Sequence, residues 1–159
     1  MLNSIVKEHL HEGAVIPAHP LALTEDRQLD EASQRALTRY YIDAGVGGVA
    51  VGVHTTQFEI RDPQFNLFKR VLTLAIEEME KAQVPESFIK IGGISGPIEQ
   101  AIEEARFIKS IGYDLALLSM GGLLDASEEE LLDRTEKIAE ILPIIGFYLQ
   151  PAVGGRVLS

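Results

Sequence analysis

The sequence has no cysteine among its 159 residues. A disulfide framework, a thiolate zinc site and a cysteine nucleophile are therefore excluded. Basic residues are also few, with 14 Lys and Arg against 24 Asp and Glu and a formal net charge of −10. This balance argues against nucleic-acid partners and anionic membrane surfaces, because both attract positively charged proteins.

Long hydrophobic runs are missing as well. The longest apolar stretch, residues 142–149, is far shorter than the roughly 20 residues that a membrane-spanning helix needs. Residues 1–11 include Lys7, Glu8, His9 and His11 and have no long apolar centre, so they do not resemble a secretory signal. These absences predict a soluble cytoplasmic protein. The length predicts one domain over residues 1–159, since domains usually span about 100–200 residues.

The stretch GVGGVAVGVHTTQF, residues 45–58, has the clearest pattern in the chain. Val49, Ala50, Val51 and Val53 form an apolar run typical of a strand buried in a parallel sheet. A polar loop, beginning with His54, follows at once. Loops that leave the carboxyl ends of parallel strands carry the binding sites of α/β proteins, so we expect the chemistry at this edge.

The remaining patterns predict alternating strands and helices. Strands are expected over residues 14–17, 49–53, 89–92, 115–119 and 144–148. Helices are expected over residues 3–11, 31–44, 63–79, 98–111 and 128–142. Their signals are an N-cap at Asp30, the pair Asp62-Pro63, Pro97 and a capping box of Ser127 with Glu130. Leu37, Tyr40, Tyr41 and Ala44 recur at helical spacing and should face the core.

This order narrows the fold to two architectures. Parallel strands need crossover helices, which are nearly always right-handed, so the chain forms an open doubly wound sheet or part of a barrel. A complete eight-unit barrel takes roughly 250 residues, more than this chain has.

Several motifs resemble the dihydrodipicolinate synthase and N-acetylneuraminate lyase family of pyruvate-type class I aldolases. The segment IPAHPLALTEDRQLDE, followed by a helix ending in DAGVGGVAVGVHTTQFE, is similar to the start of these enzymes. Residues 54–58 (HTTQF) resemble the family motif Gly-Thr-Thr-Gly-Glu, residues 92–96 (GGISG) its strand-three turn, and residues 148–151 (YLQP) its Tyr-Asn-x-Pro motif. The resemblance implies a (β/α)8 TIM barrel, of which this chain covers about the first five strands and four helices.

The same resemblance implies a function and site residues. The family joins a lysine to a 2-oxo acid as a Schiff base and performs carbon–carbon lyase or synthase chemistry without a cofactor or metal. Tyr148 would donate and accept protons and Thr55 would relay them, since carbinolamine formation and dehydration need a positioned acid and base. Thr56 would hold the substrate carboxylate, with Arg156 as a further substrate-binding residue. His19 and His54 follow the first two predicted strands, and from that placement we expect them to bind the substrate as well. A homo-oligomer and a small 2-oxo acid substrate are expected.

The chain departs from the family pattern at several positions. Residues 54–58 lack both flanking glycines and the glutamate of the motif, so the turn and its contacts should differ. Residues 119–122 (SMGG) stand where many synthases carry tyrosines, and Val153 replaces the carboxylate-binding arginine, with Arg156 three residues later. The Schiff-base lysine belongs to strand six of the family, which lies beyond this chain.

Other hypotheses compete with the aldolase. Lys90 is a poor substitute nucleophile because it lies near the start of its strand, and His19 and His54 with Glu59 or Asp62 have no ligand-spacing motif for a metal. The chain could instead be a non-catalytic fragment or half-barrel with a structural or binding role, perhaps pairing with a copy of itself. A third reading is an open-sheet module that binds an anion or phosphate at the GGISGP turn.

Overall fold

The computed structural model describes residues 1–147 of the chain. Within these residues there are five α-helices and four β-strands; two helices precede the first strand, and strands and helices alternate from there on. The helices are α1 Ser4–Glu12, α2 Glu31–Asp43, α3 Phe68–Lys81, α4 Ile98–Ser110 and α5 Glu128–Ile141. The strands are β1 Gly48–Val51, β2 Ile89–Ile94, β3 Leu115–Leu118 and β4 Ile144–Gly146. Two short 3-10 turns, His54–Thr56 and Phe58–Arg61, follow β1.

The four strands form one parallel sheet in the order β1-β2-β3-β4, which is also their order along the chain. Helices α2 to α5 contribute to a single buried cluster on one face, around Val49, Val51 and Leu118. Because consecutive parallel strands lie side by side with their crossover helices on one face, the sheet is built as in a barrel and not as a doubly wound sheet.

The face of the sheet opposite helices α2 to α5 is called the inner face. Ala50, Ile89, Ile91 and Leu115 pack there in a second cluster with Val6 of α1. Each fully buried large aliphatic side chain in such a cluster stabilises the fold by about 1.5–3 kcal/mol. Successive strand residues therefore point alternately to the helix-covered face and to the inner face.

Most predicted boundaries agree with the structure to within two residues. Asp30 caps α2 by accepting a hydrogen bond from the Ser33 N–H, and Ser127 forms the predicted capping box with Glu130. Among residues 1–147, no helix combines the length and the apolar character needed to cross a membrane.

The predicted first strand, residues 14–17, is not a regular strand. The segment is extended beside β1, where the Ala50 N–H donates to the Pro17 carbonyl and the His19 N–H donates to the Ala50 carbonyl. Only one isolated bridge, Ala18 with Ala50, is formed. Pro17 has no N–H, which interrupts the ladder that a regular strand would need.

Two further predictions about helices were wrong. Helix α3 begins at Phe68 and not at Pro63, because Asp62 accepts from the Gln64 N–H in a turn and Asn66 has a positive φ of 49° that breaks helical continuity. Tyr40 is 66% exposed, and the buried positions of α2 are the polar residues Gln34 and Thr38.

Candidate active site

The loop after β1 turns sharply at the carboxyl edge of the sheet. Val49 and Val51 are fully buried, and Gly52 then takes a positive φ of 77°, a conformation that glycine adopts without steric cost. The chain continues as the 3-10 turn His54–Thr56. Gln57, which stands where the resembled motif Gly-Thr-Thr-Gly-Glu has a glycine, has a positive φ of 71°. The turn is therefore held in a conformation that a glutamine adopts only under strain.

The two threonines of this turn share one acceptor. The Thr56 hydroxyl donates to the His19 carbonyl at 2.6 Å and accepts from the Gly52 N–H at 3.0 Å. The Thr55 hydroxyl donates to the same carbonyl at a longer 3.2 Å. Thr56 is fully buried, whereas Thr55 is exposed. Thr56 thus fastens the turn to the segment beside β1, and Thr55 is the threonine with access to solvent.

The His19 side chain points away from the edge and into the contact with α2. Its Nδ1 lies 2.8 Å from the Pro20 carbonyl oxygen, and its Nε2 lies 2.9 Å from Thr38 Oγ1. The Gln34 amide nitrogen lies 3.0 Å from Nδ1. Burial lowers the pKa of His19, so the neutral ring is favoured. This geometry favours a role for His19 in positioning the turn over direct contact with a ligand.

A cavity of about 290 Å³ opens at this edge, on the inner face of the sheet. Its walls come from the ends of all four strands and from the segment beside β1. Among the described residues that line the cavity, His54 and Ser119 are the two with polar side chains. The apolar lining residues include Val53, Phe58, Ile91, Leu117 and Phe147. The Ser119 hydroxyl accepts from the Gly121 N–H at 3.1 Å. The cavity is thus mostly apolar, as ligand sites commonly are, with two polar groups to orient a ligand.

A buried ion pair lies beside the cavity. Arg61 Nε donates to Glu104 Oε1 at 2.9 Å, and the two side chains are 8% and 7% exposed. Arg61 Nη2 donates to the carbonyls of Gly52 and Gly93, at 3.0 Å each. Neither this pair nor Ser119 was predicted from the sequence as part of the site. The available signal was Glu104, a carboxylate on the apolar face of α4 with Ala101 and Ile108.

The GGISGP turn serves packing within the fold. A Cβ on Gly93 would lie 2.2 Å from the Gly52 carbonyl oxygen, so the ends of β1 and β2 approach too closely for any side chain there. The Ser95 N–H donates to Glu104 Oε2 at 3.1 Å. The carboxylate of Glu104 thus already accepts the hydrogen bond that the Ser95 N–H could give to an anionic ligand.

The other predicted groups are not brought to the cavity. Lys90 lies near the amino end of β2, where its N–H donates to Asp114, away from the carboxyl edge. Within residues 1–147, no three His, Asp or Glu side chains are grouped so that they could hold a metal ion. Tyr148 and Arg156 lie outside the described residues, so their predicted roles stay predictions.

Solved structures share this architecture. N-acetylneuraminate lyase from Fusobacterium nucleatum superposes with a TM-score of 0.75 and 22% identity, over 91% of this chain and 49% of that one. A prophage protein of the dihydrodipicolinic acid synthase family from E. coli K12, in complex with pyruvate, has a TM-score of 0.74 and 24% identity, over 87% and 45%. Dihydrodipicolinate synthase from Oceanobacillus iheyensis has a TM-score of 0.73 and 16% identity, over 86% and 45%.

The chain has the fold of these lyases and synthases. The lyase–synthase fold is a TIM barrel, and the parallel sheet described here corresponds to part of one. This chain spans about half the length of the solved structures that it matches. No protein-family model matches the sequence, and no curated protein matches it. At identities below 25% the likeness shows the fold, and the predicted aldolase fold is confirmed.

Proposed function

We propose that this chain carries the ligand-binding edge of an aldolase-type carbon–carbon lyase or synthase that acts on a 2-oxo acid such as pyruvate. The observation that carries this proposal is the cavity at the carboxyl edge, in a fold whose solved examples include pyruvate complexes. In TIM barrels this edge is where substrates bind. His54 and Ser119 supply polar contacts to the ligand, and the apolar walls exclude water from it.

The reaction begins when a lysine amine attacks the C2 carbonyl carbon of the 2-oxo acid. A carbon–nitrogen bond forms, the carbonyl oxygen takes a proton, and the carbinolamine then loses water to leave the Schiff base. This lysine corresponds to the Schiff-base lysine on strand six of the family. The present sequence does not include that strand. The protonated Schiff base withdraws electrons from C2. The carbon–carbon bond at C3 therefore breaks or forms with an enamine as the intermediate.

Each of these steps needs a group that delivers and removes protons. Tyr148 is the proposed proton donor and acceptor, and Thr55 is the proposed relay. The exposed Thr55 hydroxyl suits a relay, since its bond to the His19 carbonyl is long and can be exchanged for one to a ligand. Thr56 was predicted to hold the carboxylate, but it already donates its hydroxyl proton to His19. We assign Thr56 the role of fixing the turn that carries Thr55 and His54, of which His54 lines the cavity.

Borohydride trapping of the full-length protein with pyruvate tests the proposal directly. Reduction of the Schiff base gives a stable covalent adduct, which mass spectrometry detects and maps to one lysine. We expect an adduct with pyruvate, a slower one in Thr55→Val, and normal trapping in Thr73→Val. Thr73 is a suitable control because its hydroxyl donates to the Lys69 carbonyl of α3, outside the cavity. Absence of an adduct with every short 2-oxo acid would refute the proposal.

A further inference from the structure

The Arg61–Glu104 pair connects the elements that form the rim of the cavity. Arg61 lies in the second 3-10 turn after β1, and Glu104 lies in α4, which follows β2. The guanidinium also lies over the Phe68 ring, with 4.4 Å between Cζ and the ring centroid. A planar group with a fixed set of donors, packed on an aromatic face, has little freedom to move.

The contacts of the pair reach two of the strand ends that border the cavity. Gly52 follows β1 and Gly93 is near the end of β2, and both line the cavity. A single nitrogen, Arg61 Nη2, donates to both of their carbonyls. On its other side, Gly52 donates its N–H to Thr56 Oγ1. A continuous set of hydrogen bonds therefore runs from the buried ion pair to the turn that carries Thr55.

Glu104 extends this set to the second loop. Its Oε2 accepts from the Ser95 N–H at 3.1 Å, and its Oε1 accepts from Gln100 Nε2 at 2.8 Å as well as from Arg61. The loops after β1 and after β2 are thus fixed to the same two side chains. Fold stability alone gives a weak reason for this arrangement, because buried ion pairs can often be replaced by apolar residues at no cost.

We propose that Arg61 and Glu104 are positioning residues, which hold the carbonyls of Gly52 and Gly93 and thereby set the geometry of the 52–57 turn for ligand binding. The identity of the ligand rests on the proposed function, whereas the effect on the turn does not. Lysine at position 61 keeps the charge next to Glu104 but lacks the planar fork that serves three acceptors together. R61K therefore retains the ion pair and loosens the turn.

Hydrogen exchange of the full chain measures this effect without any ligand. Hydrogen bonds to charged groups contribute about 1.5–3 kcal/mol, so R61K should speed exchange at residues 52–57 by roughly tenfold or more. The core amides of β2 and α3 should change far less. The double variant R61M/E104M removes both charges and provides a second variant if R61K does not fold; it should show the same selective change.

R35M is the matched control. Arg35 is a partly buried arginine paired with Glu77 and Glu78 between α2 and α3, away from the cavity. Loss of Arg35 should speed hydrogen exchange at the amides of α2 and α3. The amides of residues 52–57 should exchange no faster, relative to the unmodified chain, than the core amides do. If R61K and R61M/E104M speed exchange at residues 52–57 no more than in the core, the positioning role is refuted.

Pyruvate binding, measured by calorimetry on the same variants of the full-length protein, provides the second readout. R61K should bind pyruvate roughly tenfold more weakly than the unmodified protein, and R35M should bind it as the unmodified protein does. Equal affinity in R61K and the unmodified chain would also refute the positioning role. If the unmodified full-length protein binds no 2-oxo acid, the proposed function is refuted, while hydrogen exchange still decides the role of Arg61 and Glu104.

Discussion

The two adjacent threonines of the turn should lose different amounts of stability on the same substitution. Thr56→Val keeps the side-chain shape and removes a fully buried hydroxyl that makes two hydrogen bonds. Thr55→Val removes an exposed hydroxyl with one long bond. We therefore expect Thr56→Val to lower the free energy of unfolding much more than Thr55→Val does.

The expected size follows from the partners that are left behind. The Gly52 N–H loses its acceptor in a buried site, which costs about 1–3 kcal/mol. The bond to the His19 carbonyl adds about 1 kcal/mol, because that oxygen still receives the Thr55 hydroxyl. The total is about 2–4 kcal/mol, or about 4–16 °C in Tm for a chain of this size. Thr55→Val should cost less than about 1 kcal/mol.

Urea unfolding followed by circular dichroism measures both variants. The slope of unfolding free energy against urea should stay unchanged, so that a shift in midpoint reports stability. Pyruvate trapping should show the reverse order, with Thr55→Val impaired and folded Thr56→Val less affected. Equal unfolding free energies for the two variants, within about 0.5 kcal/mol, would refute this account of the turn.

Three further predictions concern other parts of the fold. The pKa of Glu78 is lowered from 4.5 to about 2, first by the hydrogen bond from Lys81 and further by two arginines. The contribution of Glu78 to the free energy of unfolding is therefore present above pH 4.5 and is lost as the pH falls toward about 2. Urea unfolding should thus show a difference between the unmodified chain and Glu78→Gln at pH 7 that shrinks toward pH 2. Ile108→Ala, at a fully buried site, should cost about 2–5 kcal/mol in the same assay, whereas truncating Leu132, which is 64% exposed, should cost less than about 0.5 kcal/mol. Gln57→Gly should raise Tm, because it relieves a positive φ worth about 1–2 kcal/mol, and a lowered Tm would contradict the assigned strain.

The sequence predicted the order and type of most elements because their signals are local. The buried run around Val49 and the capping box at Ser127 each depend on a few neighbouring residues, and the structure has both. Asp62-Pro63 failed as a helix start because the left-handed Asn66, four residues after Asp62, stops the helix from beginning there. The predicted homo-oligomer, cytoplasmic location and lack of nucleic-acid partners stay predictions.

A cavity lies at the edge of the sheet where the sequence predicts the site, but the directions of the side chains there were not predicted. His19 and His54 both follow predicted strands, yet His54 lines the cavity and His19 is buried against α2. The difference arises from Gln34 and Thr38, the polar residues on the buried face of α2 that hold the His19 ring. Helical spacing of apolar residues predicted Tyr40 for this face, and such a pattern carries no information on buried polar partners.

Glu104 shows what a sequence can and cannot reveal about a buried charge. It lies on the same face of α4 as Ala101, Ala105 and Ile108, all of which are fully buried. A carboxylate in that position must be neutralised or paired, because burying an unpaired charge is very costly. The helix pattern thus predicts that a partner exists. The partner, Arg61, is 43 residues away in a turn without periodicity, and only the close approach of β1 and β2 at Gly52 and Gly93 brings the two together. A pair formed in this way depends on the geometry of the strand ends, which is why its removal should change the cavity rim more than the core.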